Sequence, residues 1–159
     1  KEIITIFLDK WFRYFNEYEQ NQTGTLNRII QSNTHKTAVI VGDGVTYEAA
    51  QNVVSKVSSK FKVTNNVILV DTPSETENNM SQIYISTGVV EPTLQKREQF
   101  LVSEHHDKDI GFVYLDKVTE DTQHQYLICQ YKDIDELGDK MNNKALKYFP
   151  EAENYLLLR

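Results

Sequence analysis

The sequence predicts an α/β fold with a mostly parallel sheet and helices on both faces. Apolar residues gather in short continuous runs, Thr37 to Val41, Val67 to Val70, Ile110 to Leu115 and Tyr126 to Tyr131. Runs of this kind suit strands buried on both sides, which a parallel sheet covered by helices demands. Between the runs, apolar residues recur at helical spacing, so the two kinds of segment alternate along the chain. With 159 residues and 40% hydrophobic content, the chain is long enough for one domain with a core.

In chain order, the first eighteen residues carry Ile4, Leu8, Trp11, Phe12 and Phe15 on one face of an amphipathic helix. That stripe reads as core or docking surface rather than a ligand site, and Asn21 to Gly24 ends it. Residues 1–36 are therefore expected to form an N-terminal helix and connector, with the main domain spanning 37–159. The strand Thr37 to Val41 ends on Gly42-Asp43-Gly44, and Tyr47 to Phe61 follows as a helix with Ala50, Val53, Val54, Val57 and Phe61 on one side. Val67 to Val70 is expected as the next buried strand, and a helix from about Glu75 to Ile85 follows Pro73. A further helix is expected over Thr93 to Glu104. The polar turn Asp116 to Gln125 separates the strands Ile110 to Leu115 and Tyr126 to Tyr131. A helix from Glu136 to Tyr148 and the run Tyr155 to Leu158 close the chain.

Composition narrows the function. Aromatic residues make up 11% of the chain, which argues against disorder. Seventeen Lys and Arg against 23 Asp and Glu give a net charge of −6, unsuited to coating nucleic acid through clustered basic charge. That balance leaves room for a metal-dependent enzyme acting on a phosphate ester. The longest apolar stretches fall far short of the ~20 residues that cross a bilayer, so no membrane partner is expected. Lys1 opens into a charged, aromatic segment with no secretory signal, and the single cysteine, Cys129, lies within a strand. A reducing, cytoplasmic setting is expected.

In open α/β sheets ligands bind beyond the carboxyl ends of the strands, where three polar segments are expected: Asp43, the Pro73-Ser74-Glu75-Thr76 turn, and Asp133-Ile134-Asp135. Carboxylates with a hydroxyl between them suit a divalent metal and a phosphoryl group, since anionic oxygens hold the cation and the cation lowers the hydroxyl's pKa. Asp43 between two glycines is equally a turn residue. Gly42-Asp43-Gly44 is a poor dinucleotide loop, because Tyr47 stands where a third glycine is needed. Ser74 with Glu77 reads as a capping box. Thr76 would then sit in the first helical turn, where free N–H groups and the helix dipole favour an alkoxide or bound phosphate. Asp135 and Asp139, four residues apart, share one side of a helical turn and can converge on one cation, or serve as a negatively charged helix start. His105-His106-Asp107 and His124 read as solvated loop and turn residues, since adjacent side chains of an extended segment point apart.

Together these segments resemble the PglZ domain family, a branch of the alkaline phosphatase superfamily, from Thr37 to about Tyr148. Ala38-Val39-Ile40-Val41-Gly42-Asp43-Gly44-Val45-Thr46-Tyr47-Glu48 is similar to the family's opening strand, acidic metal ligand and Tyr-Glu helix start. Pro73-Ser74-Glu75-Thr76-Glu77-Asn78-Asn79-Met80 is similar to its nucleophile turn, and Asp133-Ile134-Asp135-Glu136-Leu137-Gly138-Asp139-Lys140 to its Ile-Asp-x-x-Gly-Asp segment. The resemblance implies an alkaline-phosphatase-like core with Asp43 as a metal ligand, Thr76 as nucleophile, and Asp135 and Asp139 as ligands of a second metal. It implies two Zn2+ ions in the complete domain and hydrolysis of a phosphate monoester or phosphodiester. Family members occur in phage-defence systems and fused to signalling receivers. Nucleotide or nucleic-acid substrates, and partners among the rest of the chain or other defence-system subunits, follow as expectations.

The family also uses a later Asp-His-Gly-like segment, which this sequence lacks. The apolar ending Leu156-Leu157-Leu158 and the absence of Met at Lys1 agree with an incomplete domain, so the chain is expected to be a truncated first half. The rival expectation is a non-catalytic α/β interaction module docking through the Ile4 to Phe15 stripe. A receiver domain with Asp43 as phosphoacceptor fits less well, because Lys1 to Lys36 offers no strand with the extra acidic pair.

Overall fold

A computed structural model describes residues 2–15, 17, 18 and 20–136. In order, they form α1 (Glu2–Tyr14), α2 (Thr25–Ser32), β1 (Thr37–Gly42), α3 (Tyr47–Val57), α4 (Thr76–Tyr84), α5 (Leu94–Glu104), β2 (Ile110–Tyr114), a single 3-10 turn (Leu115–Lys117) and β3 (Tyr126–Tyr131). The chain divides into two compact units, one formed by Lys1–His35 and Asn66–Lys108, the other by Lys36–Asn65 and the chain from Asp109 onward.

The first unit is helical. Leu26 and Ile30 of α2, Met80 and Tyr84 of α4 with Ile85 after it, and Leu101 of α5 are buried together as its core. Burying that apolar surface is the main favourable term here, since helices of this length are marginal alone. Polar side chains join the helices. Asn27 of α2 donates from Nδ2 to the Tyr84 carbonyl at 3.2 Å and accepts at Oδ1 from His105 Nε2 at 2.5 Å. Because the Asn27 amide nitrogen is spent on a carbonyl, its oxygen must be the acceptor, which places the His105 proton on Nε2. His105 is thus buried at the end of α5, contrary to the solvated loop expected for it, while His106 and Asp107 are exposed. The sequence did carry a signal: Arg97, Leu101 and His105 recur every four residues, and all three are buried.

The expected strand Val67 to Val70 does not form. Among the described residues this segment makes one isolated bridge, Asn21 with Leu69, and Val67 is 72% exposed. The Leu69 amide donates to the Gln20 carbonyl at 2.8 Å and its carbonyl accepts from Gln22 at 2.9 Å. β-branched residues tolerate extended backbone, but a strand also needs a neighbour along its length, and among the described residues this segment has a bridge partner at Leu69 only.

The second unit holds a three-stranded sheet of order β1-β3-β2, parallel throughout. Thr37 pairs with Tyr126 and Gly42 with Tyr131, while Ile110 also pairs with Tyr126. β3 is therefore central, and its Tyr126, Ile128, Cys129 and Tyr131 are buried. Burial pushes the Cys129 thiol pKa up. The chain is thus a mixed α/β protein with a parallel sheet. α3 stops at Val57, earlier than expected, and Phe61 is 66% exposed. No helix among the described residues is long and apolar enough to cross a membrane. A helical turn covers residues 133–136; of the helix expected from Glu136 to Tyr148 the rest, together with the run Tyr155 to Leu158 and Asp139, lies outside the described residues.

Candidate functional site

At the carboxyl edge of the sheet the turn that carries Asp43 packs against the turn that carries Asp135. Asp43 follows β1, and its backbone N–H donates to the Tyr131 carbonyl at 2.8 Å, continuing the ladder one step past the strand. The chain leaving β3 runs through Lys132 into a helical turn, with the Glu136 N–H donating to the Lys132 carbonyl at 2.9 Å. Asp133 and Asp135 are carried on that turn, and both, like Asp43, are half-buried.

Gly44 makes the approach possible. Its φ is +70°, a left-handed conformation disfavoured for other residues, and a Cβ built there would lie 3.1 Å from the Asp135 nitrogen and 3.2 Å from its Cα. Only a residue without a side chain lets the β1 turn sit this close to the β3 turn. The same loop leads into α3, where the Thr46 hydroxyl accepts from the Ala49 N–H at 3.3 Å and caps the helix start. Two carboxylate-bearing turns and a helix N-terminus therefore follow one another at this edge.

Carboxylates are hard oxygen donors of the kind a divalent cation takes. Among the described residues no group of three or more His, Cys, Asp or Glu side chains converges as a metal cage. Asp139, the remaining expected ligand, is outside the described residues.

Thr76 belongs to the other unit. It is exposed and is the first residue of α4, as expected, but the capping box before it is absent. Glu75 rather than Ser74 is the N-cap, with the Asn79 N–H donating to its carbonyl at 2.9 Å and no side-chain cap. The helix starts one residue later than a Ser74–Glu77 box requires, which puts Glu77 at the second helical position. That unit also holds a cleft of roughly 630 Å³ lined by Asn21, Arg28, Asp71 and Gln82 among others. Arg28 spends its guanidinium on the carbonyls of Thr23 and Asn21 and on the Thr25 hydroxyl.

A smaller cleft, roughly 270 Å³, lies at the carboxyl ends of β2 and β3, lined by Tyr114, Lys117, Gln130, Lys132, Asp133 and Glu136 among others. Lys132 Nζ stands 5.2 Å from the centroid of the Tyr114 ring and 2.5 Å from Glu136 Oε1. The hydrogen bond to Glu136 holds the Lys132 ammonium above the usual lysine range. Lys117 pairs with Asp116 at 3.1 Å. At the opposite end of the sheet His124 Nδ1 bonds Asp109 Oδ1 at 2.7 Å, and that bond holds the Asp109 carboxyl below the usual range. His124 is exposed, as expected for a turn residue. Comparison with protein-family models, curated proteins and solved structures found no match to this chain.

Proposed function

We propose that the chain carries part of a metal-dependent phosphoryl hydrolase site of the PglZ type, with an alkaline-phosphatase-like core. The observation that supports this reading best is the pairing of the Asp43 and Asp135 turns across Gly44 at the carboxyl edge of a parallel sheet. Such an edge is where open α/β folds bind ligands, and two acidic turns beside a helix N-terminus suit a cation with a phosphate. Asp43, Asp135 and Asp139 would hold zinc, which when bound supplies positive charge to phosphoryl oxygens. Thr76 is the nucleophile that the resemblance implies, and a phosphate monoester or phosphodiester, of a nucleotide or nucleic acid, is the substrate class. The remaining zinc ligands would come from the rest of its own protein or from other defence-system subunits.

The test measures zinc content and hydrolysis of bis(p-nitrophenyl) phosphate by the intact protein. Asp43→Ala and Asp135→Asn should lose bound zinc and, like Thr76→Ala, at least about a hundredfold in activity. Undiminished activity in all three variants refutes the assignment.

A second reading, a non-catalytic interaction module, draws on α1, whose Ile3, Ile4 and Phe7 are 82%, 64% and 59% exposed. It predicts retained partner capture in the same three variants and its loss on Ile4→Asp or Phe7→Asp.

A further inference from the structure

The cleft beside Lys132 has a feature that metal and phosphate chemistry leaves unused. Its wall includes the half-exposed ring of Tyr114, the last residue of β2, and its rim includes Gln130 and Asp133. Its two ammonium groups are each tied to a neighbouring carboxylate, Lys132 to Glu136 and Lys117 to Asp116. Lined this way, the cleft is a poor seat for a free anion and a better one for an uncharged flat ring with polar edges. Its roughly 270 Å³ lies near the lower end of ligand pockets, enough for a ring system and too little for an extended polymer. It opens at the carboxyl end of the parallel strands, and the turn that supplies Asp133 and Glu136 to its lining also carries Asp135.

We infer that this cleft seats the nucleobase of a nucleotide or nucleic-acid substrate, with the Tyr114 ring as its stacking platform, an assignment of substrate class that rests on the hydrolase reading above. The ammonium over the ring is the present occupant of that platform. An exposed cation–π contact is weaker than base stacking on an aromatic side chain. An entering base therefore displaces the half-exposed Lys132 ammonium from the ring, at the expense of a half-exposed Glu136 pair that contributes little at a surface. Asp133, in the cleft lining, offers a hydrogen-bond acceptor to the base edge.

Adenosine, which carries no phosphate, is the probe, and its binding to the intact protein is followed by calorimetry. Tyr114→Ala should weaken binding about tenfold, while Tyr114→Phe, which keeps the ring, should leave it unchanged. Lys132→Ala, which clears the ring, should bind adenosine at least as tightly as the wild type. Absence of adenosine binding, equal binding by wild type and Tyr114→Ala, or loss of binding in Lys132→Ala each overturns the inference. Failure of the hydrolase reading looks different: bis(p-nitrophenyl) phosphate is not turned over, yet adenosine binding and its dependence on Tyr114 persist.

Discussion

Gly44 is where one missing side chain decides whether the acidic edge exists. An alanine there meets two obstacles, a φ of +70° and the Asp135 backbone at 3.1–3.2 Å. Gly44→Ala should cost about 1–2 kcal/mol in urea denaturation and, on the hydrolase proposal, weaken zinc binding, because the two turns must separate. A variant of unchanged stability and zinc affinity would show that the turns move apart freely. At the far end of the sheet, the His124 bond keeps the Asp109 carboxyl pKa depressed. A depressed carboxyl stabilises the fold above its unfolded value near ~3.9, and that contribution is lost as pH falls through the folded value. In His124→Ala the Asp109 carboxyl should titrate nearer its ordinary value by NMR, so that this acid-sensitive contribution shrinks. Both residues illustrate what a linear reading reaches. The glycine and the histidine were visible as turn residues, whereas Asp135 opposite Gly44 and Asp109 opposite His124 are partners that only the pairing of strands supplies.

Among the elements, β3 gives the sheet its stability, because both neighbours take their hydrogen bonds from it and its buried residues fill the core. Ile128→Ala, at a position with no exposure, should cost about 2–5 kcal/mol. Val67→Ala, in the segment that reads as a strand and is not one, should change stability by less than about 0.5 kcal/mol. Similar losses at both positions would mean that Val67 is buried after all. Three strands and the bounds of α4 and α5 were legible because periodicity reports which faces want burial, whereas α2 lay in what reads as a connector. Val67 to Val70 misled because an apolar run shows willingness to pair but not whether a neighbour exists. The Ser74 cap misled for a related reason: the motif fits one register, and α4 starts one residue later.

For the molecule as a whole, sequence order and spatial grouping diverge. The helical unit is interrupted by β1 and α3, and the sheet unit by α4 and α5. An N-terminal helix followed by one continuous domain was the natural reading of the composition, since nothing in a linear pattern marks where a chain leaves one compact unit for another. Grouping of this kind makes the sheet depend on residues distant in sequence. Hydrogen exchange should therefore find the β1 amides protected in the whole chain and unprotected in one ended before Tyr126. Protection in the shorter chain would mean that β1 finds another partner.

The register that pairs Thr37 with Tyr126 also sets an order of events during synthesis. Asp43 leaves the ribosome early, yet the carbonyl that fixes its backbone belongs to Tyr131 and its acidic companion to the turn beyond. Until β3 has been made, the turn that carries Asp43 lacks the neighbour against which it is fixed. Of the described strands β3 is the last to emerge, so the turns that carry Asp43 and Asp135 can meet only after translation has passed Asp135.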